Sequence, residues 1–302
     1  MLFRSTFLYL AFQSGLTLWE KRPGRARERI KQVLGYIEEH YDKVAFMTAS
    51  KLGAVVGVSE STVVRFATEI GYSGYPALQQ AMQEMIRNRL TSVQRLEITS
   101  ANTPRARLLD ASLEQDIDII RRTKETISHE AFYSAADALV NAKRVYIIGA
   151  GSSLALATFL SHYLSLVFDA VQLINATSDA QLLQQLVHIG AGDALIGISF
   201  PRYSKKAAKA LRYASDRGAS VIAITDSTLS PLASCAQQVL LAKSDMVSFV
   251  DSLVGPLALI NALIVTVAIK KKEEVAKTLC DLENIWDEYG VYEKVENKSD
   301  DE

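Results

Sequence analysis

Three short stretches gather hydroxyls, glycines and cations in a pattern suited to holding a phosphorylated ligand. The first, Gly149-Ala-Gly151-Ser152-Ser153, follows one apolar run and precedes an amphipathic one. Its glycines let backbone approach a ligand, and its two hydroxyls stand at the start of a helix whose free amides attract anions. It is not a dinucleotide fingerprint, because the third glycine would fall at Leu154, and no Gly-Lys-Ser/Thr follows for a nucleotide loop. The second stretch, Ser199-Phe-Pro-Arg202-Tyr203-Ser204-Lys205-Lys206, combines hydroxyls, helix-terminal amides and three cations. That is the donor set of a phosphomonoester dianion. Cations at a helix N-terminus are disfavoured by the dipole, which argues for a ligand-related reason for them over a merely solvated first turn. In the third, Thr225-Asp226-Ser227-Thr228, Asp226 either accepts from sugar hydroxyls or caps a helix beginning near Pro231, capping being the simpler role. The candidate ligand-binding residues are Gly151, Ser152, Ser153, Ser199, Arg202, Ser204 and Lys205.

A second chemistry belongs to residues 48–72. Leu52, Val55 and Val56 share one helical face, followed by Gly57, which can take the positive φ of a sharp turn. Ser59 then stands where an N-cap hydroxyl accepts from the free amides of a new helix, whose buried stripe is Val63, Ala67 and Ile70. Ser61, Thr62, Arg65 and Thr68 project from its polar side, the first two in the opening turn, where a recognition helix meets base edges and phosphates. Thr48 or Ser50 caps the preceding helix. Two short amphipathic helices joined at a glycine can also be a plain helical hairpin. Charge favours the DNA reading, since residues 21–95 hold 12 Lys/Arg against 7 Asp/Glu in a chain of net charge −1. The candidate DNA-binding residues are Thr48, Ser59, Ser61, Thr62, Arg65 and Tyr72.

The elements that must position these groups follow from periodicity. Ile30, Val33, Leu34 and Ile37 repeat as one helical face, giving the first helix of a trihelical core. After a Ser-, Thr-, Asn- and Pro-containing break at residues 96–110, helix periodicity resumes through Leu113, Ile117, Ile120 and Thr123 or Lys124. From residue 143 short apolar runs at 144–148, 170–174, 194–198, 220–224 and 238–241 alternate with longer amphipathic stretches, the signature of a parallel sheet wrapped by helices. Ligands in such sheets sit beyond the carboxyl ends of the strands, where the three loops fall. The expected fold is thus an all-α helix-turn-helix domain plus an α/β domain with a parallel sheet flanked by helices. Its organisation reads as an extension at 1–24, a DNA-binding domain at 25–95, a linker at 96–110, a ligand domain at 111–285 and an acidic tail at 286–302.

The wording of the first domain is itself specific. Ala45-Phe-Met-Thr-Ala-Ser-Lys-Leu, Val58-Ser-Glu-Ser-Thr-Val-Val-Arg-Phe and Gly71-Tyr-Ser-Gly-Tyr-Pro resemble the N-terminal domain of RpiR-type bacterial transcription regulators. The three later loops, over roughly residues 125–270, resemble the sugar isomerase (SIS) domain. The resemblance implies a domain that binds a phosphorylated sugar and controls DNA affinity. The family's first-loop hydroxyl pair falls on Ser152 and Ser153. Its second loop, written Ser-x-Ser-Gly-x-Thr, places its first Ser on Ser199 and its Thr on Ser204. Here the chain departs from the pattern, with Pro201 and Arg202 standing for the second Ser and the Gly. One hydroxyl ligand is lost and an arginine gained.

Composition is consistent with this. With 302 residues, 49% of them apolar, the chain can bury two cores. Cys235 and Cys280 form neither metal-ligand spacing nor a disulfide framework and read as small, at least partly buried hydrophobes in a reducing cytoplasm. No cofactor is implied. Phe7-Leu-Tyr-Leu-Ala-Phe12 and Leu16-Thr-Leu-Trp19 are too short to span a bilayer, so residues 1–24 read as a disordered or loosely docked extension. The uncharged run Leu253–Ile269 contains Gly255, Pro256 and Asn261 and fits a buried or dimer-interface helix better than a membrane span. From Asp281 the chain carries nine acidic residues against two lysines and should fray. The expected partners are a duplex DNA operator, a phosphorylated sugar, and further copies of the chain in a homodimer or homotetramer, since a two-fold protein matches a palindromic operator. The alternative is a sugar-phosphate isomerase with an accessory helical domain. An isomerase needs a Glu or His base in the cleft. The three loops hold neither, and among His40, His129, His162 and His188 only His188, near a strand-helix junction, is a plausible base. A regulator without enzymatic activity is the expected function.

Overall fold

The computed structural model describes residues 24–79, 81–82, 93, 96, 104–247 and 250–293. The chain divides into two compact units on either side of the Arg95–Leu96 bond. The expected extension lies outside the described residues up to position 23, as do residues 97–103 of the linker and 294–302 of the tail.

In the first unit α1 (Gly24–Val44), α2 (Ala49–Val56) and α3 (Glu60–Glu69) pack together. Ile30, Val33, Leu34 and Ile37 of α1 meet Leu52 of α2 and Val63, Phe66 and Ala67 of α3 in one buried cluster, closed by Ile70 and Leu78. Thr48 caps α2, its hydroxyl accepting from the Lys51 amide at 3.2 Å. Gly57 ends α2 in the left-handed region at φ 77°, a conformation that is cheap only without a Cβ. The turn between the second and third helices thus depends on that residue. Val55 departs from the expected face. The buried side of α2 runs through Leu52 and Gly53, which turns Val55 outward to 49% exposure. Tyr75 is buried, and its hydroxyl donates to the carbonyls of Met47 at 2.9 Å and Val44 at 3.3 Å. Burial without a compensating charge pushes that phenol up to about 12. The Gly71-to-Pro76 segment is therefore a clamp on the α1–α2 connection.

In the second unit a short 3₁₀ turn, Arg105–Arg107, leads into α4 (Leu108–Thr126), which begins inside the expected linker. It is followed by α5 (His129–Val140), β1 (Val145–Gly149), α6 (Ser153–Leu164), β2 (Val171–Ile174), α7 (Asp179–Gln185), β3 (Ala194–Ile198), α8 (Lys205–Asp216), β4 (Ser220–Thr225) and β5 (Gln238–Leu241). A small antiparallel pair, β6 (Met246–Val247) and β7 (Val250–Asp251), precedes α9 (Val254–Lys270) and α10 (Lys272–Tyr289). The five strands form one parallel sheet in the order β2-β1-β3-β4-β5. Strand residues alternate between two faces. Val145, Ile147, Ala194, Ile196, Ile222 and Ile224 pack against α5, α6 and α9, while Tyr146, Ile148, Leu195, Val221 and Ala223 pack against α7 and α8.

The helix expected through Leu113, Ile117, Ile120 and Thr123 is present as α4. Leu113, Ile117 and Ile120 are 54%, 58% and 43% exposed on it, and Ile119 and Thr123 pack inward. Three other expectations need correction. No α-helix begins near Pro231, where the chain makes only a 3₁₀ turn, Ala233–Cys235. The acidic C-terminal stretch is helical through Tyr289 rather than frayed from Asp281, with Glu273 and Glu274 in the favourable first turn of α10. Cys235 is half-buried, as expected, but Cys280 is exposed on α10. The uncharged run forms α9, with Gly255, Pro256, Leu259, Ile260, Leu263 and Val267 buried in the unit. Among the described residues no single helix is long and apolar enough to cross a membrane, and α9 and α10, which qualify only as a pair, meet at a 100° bend.

Gly149 is where β1 hands over to α6. A Cβ there would lie 2.4 Å from the Ser153 carbonyl oxygen and 3.0 Å from the Ala157 methyl, so the helix can start against the strand end only because the side chain is absent. Gly149→Ala should destabilise the fold by roughly 1–3 kcal/mol, the usual range for overpacking, read as a lower denaturation midpoint with an unchanged slope.

Candidate functional site

Strands β1 and β3 are neighbours in register, Gly149 opposite Ile198, so the loops at their carboxyl ends face each other. Between them lies a cavity of about 220 Å³ lined by residues 150–153, 199–202, 204 and 251. Two of the three stretches singled out in the sequence, 149–153 and 199–206, are brought together here by topology, as expected for a doubly wound sheet, while 225–228 does not line the cavity.

The hydroxyls are oriented by the backbone. Ser199, buried, accepts from the Ser204 amide at 3.0 Å, and Ser204 caps α8 by accepting from the Ala207 amide at 3.2 Å. A serine that accepts an N–H bond keeps its own proton to donate, so both present donors at the N-terminus of α8. Ser153, the first residue of α6, is buried beside them, and Ser152 is exposed at the cavity wall. Gly151 completes the first loop. Arg202 has φ 71°, the only positive φ of a non-glycine residue among the described residues. It stands where the related pattern has glycine and keeps a glycine-like conformation, at a cost of about 1 kcal/mol or more. Its guanidinium lies 3.7 Å from Asp251 Oδ1, and Ser152 donates to Asp251 Oδ2 at 2.7 Å.

Lys205 is exposed and does not line the cavity, and Lys206 donates to the carbonyls of Ala176 and Thr177, both at 2.9 Å. Of the three cations in the second loop only Arg202 reaches the site; Lys206 instead ties α8 to the β2–α7 loop, and so has a structural reason at the helix start. Asp251 was not among the sequence candidates. It is about 100 residues from Ser152 in the chain and carries no local motif, so its role emerges only from the way β7 folds back. Asp226 neither caps a helix nor lines the cavity. Its Oδ1 accepts from the Tyr203 hydroxyl at 2.9 Å and from Thr225 Oγ1 at 3.3 Å. Burial holds its carboxyl above the usual carboxylate range, against the opposing pull of those bonds, and the burial and the carboxylate together push the Tyr203 phenol up.

No Glu or His lines the cavity. His188 sits exposed in the loop that enters β3, with its carbonyl accepting from Arg144, at the opposite end of the strand from Ser199. It cannot act as a base at this site.

On the first unit, Glu60, Ser61, Val64, Arg65 and Thr68 line one open face of α3. Arg65 is 53% exposed and 3.7 Å from Glu69, and Thr68 donates to the Arg65 carbonyl. Four candidates, Thr48, Ser59, Thr62 and Tyr72, do not line that face. Thr62 is buried at 6% exposure. A buried hydroxyl needs a partner, and Ser59 supplies it at 2.9 Å while also meeting Ser61 at 2.9 Å. Ser59 therefore occupies the N-cap position without a side-chain bond to the helix amides. Tyr72 is half-buried against the trihelical core, and Thr48, though exposed, is occupied as the α2 cap.

The comparisons with known proteins agree with both halves. Residues 138–266 match the SIS domain, and residues 21–89 match the helix-turn-helix domain of the rpiR family. The sugar isomerase domain of an RpiR transcription factor from Sphaerobacter thermophilus is 30% identical, with a TM-score of 0.56 over 59% of this chain and 99% of that one. The Vibrio vulnificus NanR protein complexed with ManNAc-6P shares the fold at 20% identity, with a TM-score of 0.56 over 93% of this chain and 97% of that one. An uncharacterized HTH-type transcriptional regulator of Caldanaerobacter subterraneus subsp. tengcongensis is 25% identical over 268 residues, 82% of this chain and 88% of the relative. A helix-turn-helix unit joined to a sugar isomerase-type unit defines a DNA-binding transcriptional regulator rather than an enzyme. The chain belongs to the RpiR family of such regulators.

The Asp226 geometry has a pH signature. A carboxyl whose folded pKa is raised contributes stability below its unfolded pKa and loses it as pH rises through the folded value. Asp226→Asn, which can still accept from Tyr203, should raise the melting temperature at pH 7 and leave it nearly unchanged at pH 3; equal shifts at both pH values would contradict the assignment.

Proposed function

We propose that this regulator binds a phosphorylated sugar in the cavity between β1 and β3 and thereby controls genes of carbohydrate catabolism or uptake from the cytoplasm. The observation that carries the reading is the pair Ser199 and Ser204, each fixed by a backbone amide with its proton directed to donate, beside the start of α6 and the Arg202 guanidinium. A phosphate dianion needs such a preorganised donor set. The ManNAc-6P complex of the NanR relative supports the ligand class. In this reading Gly151, Ser152, Ser153, Ser199, Arg202 and Ser204 hold the effector, while Lys205 contributes only long-range positive charge. Ser61 and Arg65, with Thr68 beside them, meet the operator, and Thr48, Ser59, Thr62 and Tyr72 set the helices that carry them.

Self-association is part of the proposal. Leu109, Leu113 and Ile117 recur every four residues on α4 with 71%, 54% and 58% exposure, and Val265 and Ile269 of α9 are also outward. A stripe of that size on one helix face suits burial against another copy, and a homodimer or homotetramer would match a palindromic operator.

Arg65→Ala should weaken binding to an operator selected from a random duplex pool by about 1–3 kcal/mol, measured by fluorescence anisotropy at fixed salt; unchanged affinity would remove Arg65 from the interface. Thermal melting across a panel of sugar phosphates and their unphosphorylated parents tests the effector. One phosphorylated member at 100 times its dissociation constant should stabilise the protein by about 2.7 kcal/mol, and Ser153→Ala should lose that shift while retaining DNA binding. A flat panel would refute the phosphate seat.

A further inference from the structure

The cavity contains an acid that a phosphate-binding site would not be expected to need. Asp251 accepts the Ser152 proton at 2.7 Å and faces the Arg202 guanidinium at 3.7 Å, with its own side chain 20% exposed. Ser152 and Arg202 are two of the donors assigned to the effector's anion. A second anion beside Asp251 would meet like-charge repulsion, and Ser152, with one proton to donate, cannot serve Asp251 and the ligand together. The same segment is stitched to α4 on both sides of the β6–β7 pair. Ser252 donates to Asp116 at 2.7 Å, Arg122 pairs with Asp245, and the Lys243 amide donates to Thr123 at 3.0 Å. Ser244 closes the base of the segment by donating to the Ser252 carbonyl at 3.1 Å. In sequence, α4 follows the segment that leads from the DNA-reading unit.

We propose that Asp251 is the resident anion of the cavity, holding Ser152 and Arg202 until an anionic ligand takes its place, and that its displacement is passed through Ser252 and Asp116 to α4. The proposal rests on the reading of the cavity as an anion seat and adds a residue and a direction to it. It also explains the arginine in a glycine-like conformation. Arg202 is held in the left-handed region, where its guanidinium faces Asp251 at 3.7 Å, and the strain is retained with that pairing. Selectivity follows from the same competition. A phosphosugar has both the dianion and a set of hydroxyls, and the freed Asp251 is placed to accept from them, so it displaces the carboxylate more readily than a bare anion does.

The test uses the full chain with inorganic phosphate as probe, titrated by isothermal calorimetry. Asp251→Asn should bind phosphate on the order of tenfold more tightly than the wild type, the scale set by one charge-assisted hydrogen bond, and adding Arg202→Ala should abolish the gain. Hydrogen exchange provides the second arm: phosphate should alter exchange of the Leu108–Thr126 amides in the wild type, and Asp116→Ala should bind phosphate normally without that response. Equal or weaker phosphate binding by Asp251→Asn would overturn the proposal, as would a gain that survives loss of Arg202. If a phosphosugar still stabilises the wild type in those cases, the effector reading stands without it. If neither protein binds phosphate or any phosphosugar, both fall.

Discussion

The pairing of β1 with β3, from Val145 opposite Ala194 to Gly149 opposite Ile198, is the constraint on which the site depends. Parallel strands must be joined by crossovers, so each sends a helix away from its carboxyl end. Where two neighbouring strands do this, two helix N-termini and their loops open onto one crevice. In this chain those termini are Ser153 of α6 and Lys205 of α8, and every residue at the cavity except Asp251 belongs to one of the two loops. The apolar content of the strands on both faces, buried throughout in β1 and β3, holds the crevice in place without any help from a ligand.

The same economy of position separates polar groups that bind from polar groups that build. Polar groups recur in both units, and several are occupied: Thr48 caps α2, Ser59 satisfies Thr62, Lys206 ties α8 to the β2–α7 loop, and Tyr203 is bound to Asp226. Ser61, Arg65 and Thr68, each with a local partner, line the open face of α3, and Ser199 and Ser204 line the cavity. A basic balance attracts duplex DNA without sequence information, and in the proposed reading the exposed face of α3 supplies the groups that meet base edges.

Much of this was legible in the sequence. The five strands and both phosphate-suited loops follow from alternating apolar runs, and the trihelical core follows from 3.6-residue periodicity in α1 and α3. The misreadings share a physical cause. Periodicity identifies an apolar face but not which partner covers it: Leu113, Ile117 and Ile120 mark α4 as a helix yet face outward, and Val55 shares the sequence face of Leu52 although Gly53 sets the buried side. Residue type identifies a donor but not whether it is already engaged, so Thr62, Lys205 and Ser59 were assigned to ligands from their chemistry alone. Asp251 had no signal at all, because its function arises from a long-range return of the chain, and only the fold brings it to Ser152.

The central claim is that the cavity and the DNA-reading face report to each other. Linkage requires that an effector which changes operator affinity has its own affinity changed by the operator in the same ratio. The most direct measurement is operator affinity with saturating phosphosugar, with its unphosphorylated parent, and with neither. The account predicts a change of about 5- to 150-fold for the phosphorylated form alone, in whichever direction the ligand-favoured state dictates. Identical operator affinity under all three conditions, with the phosphosugar bound, would contradict it.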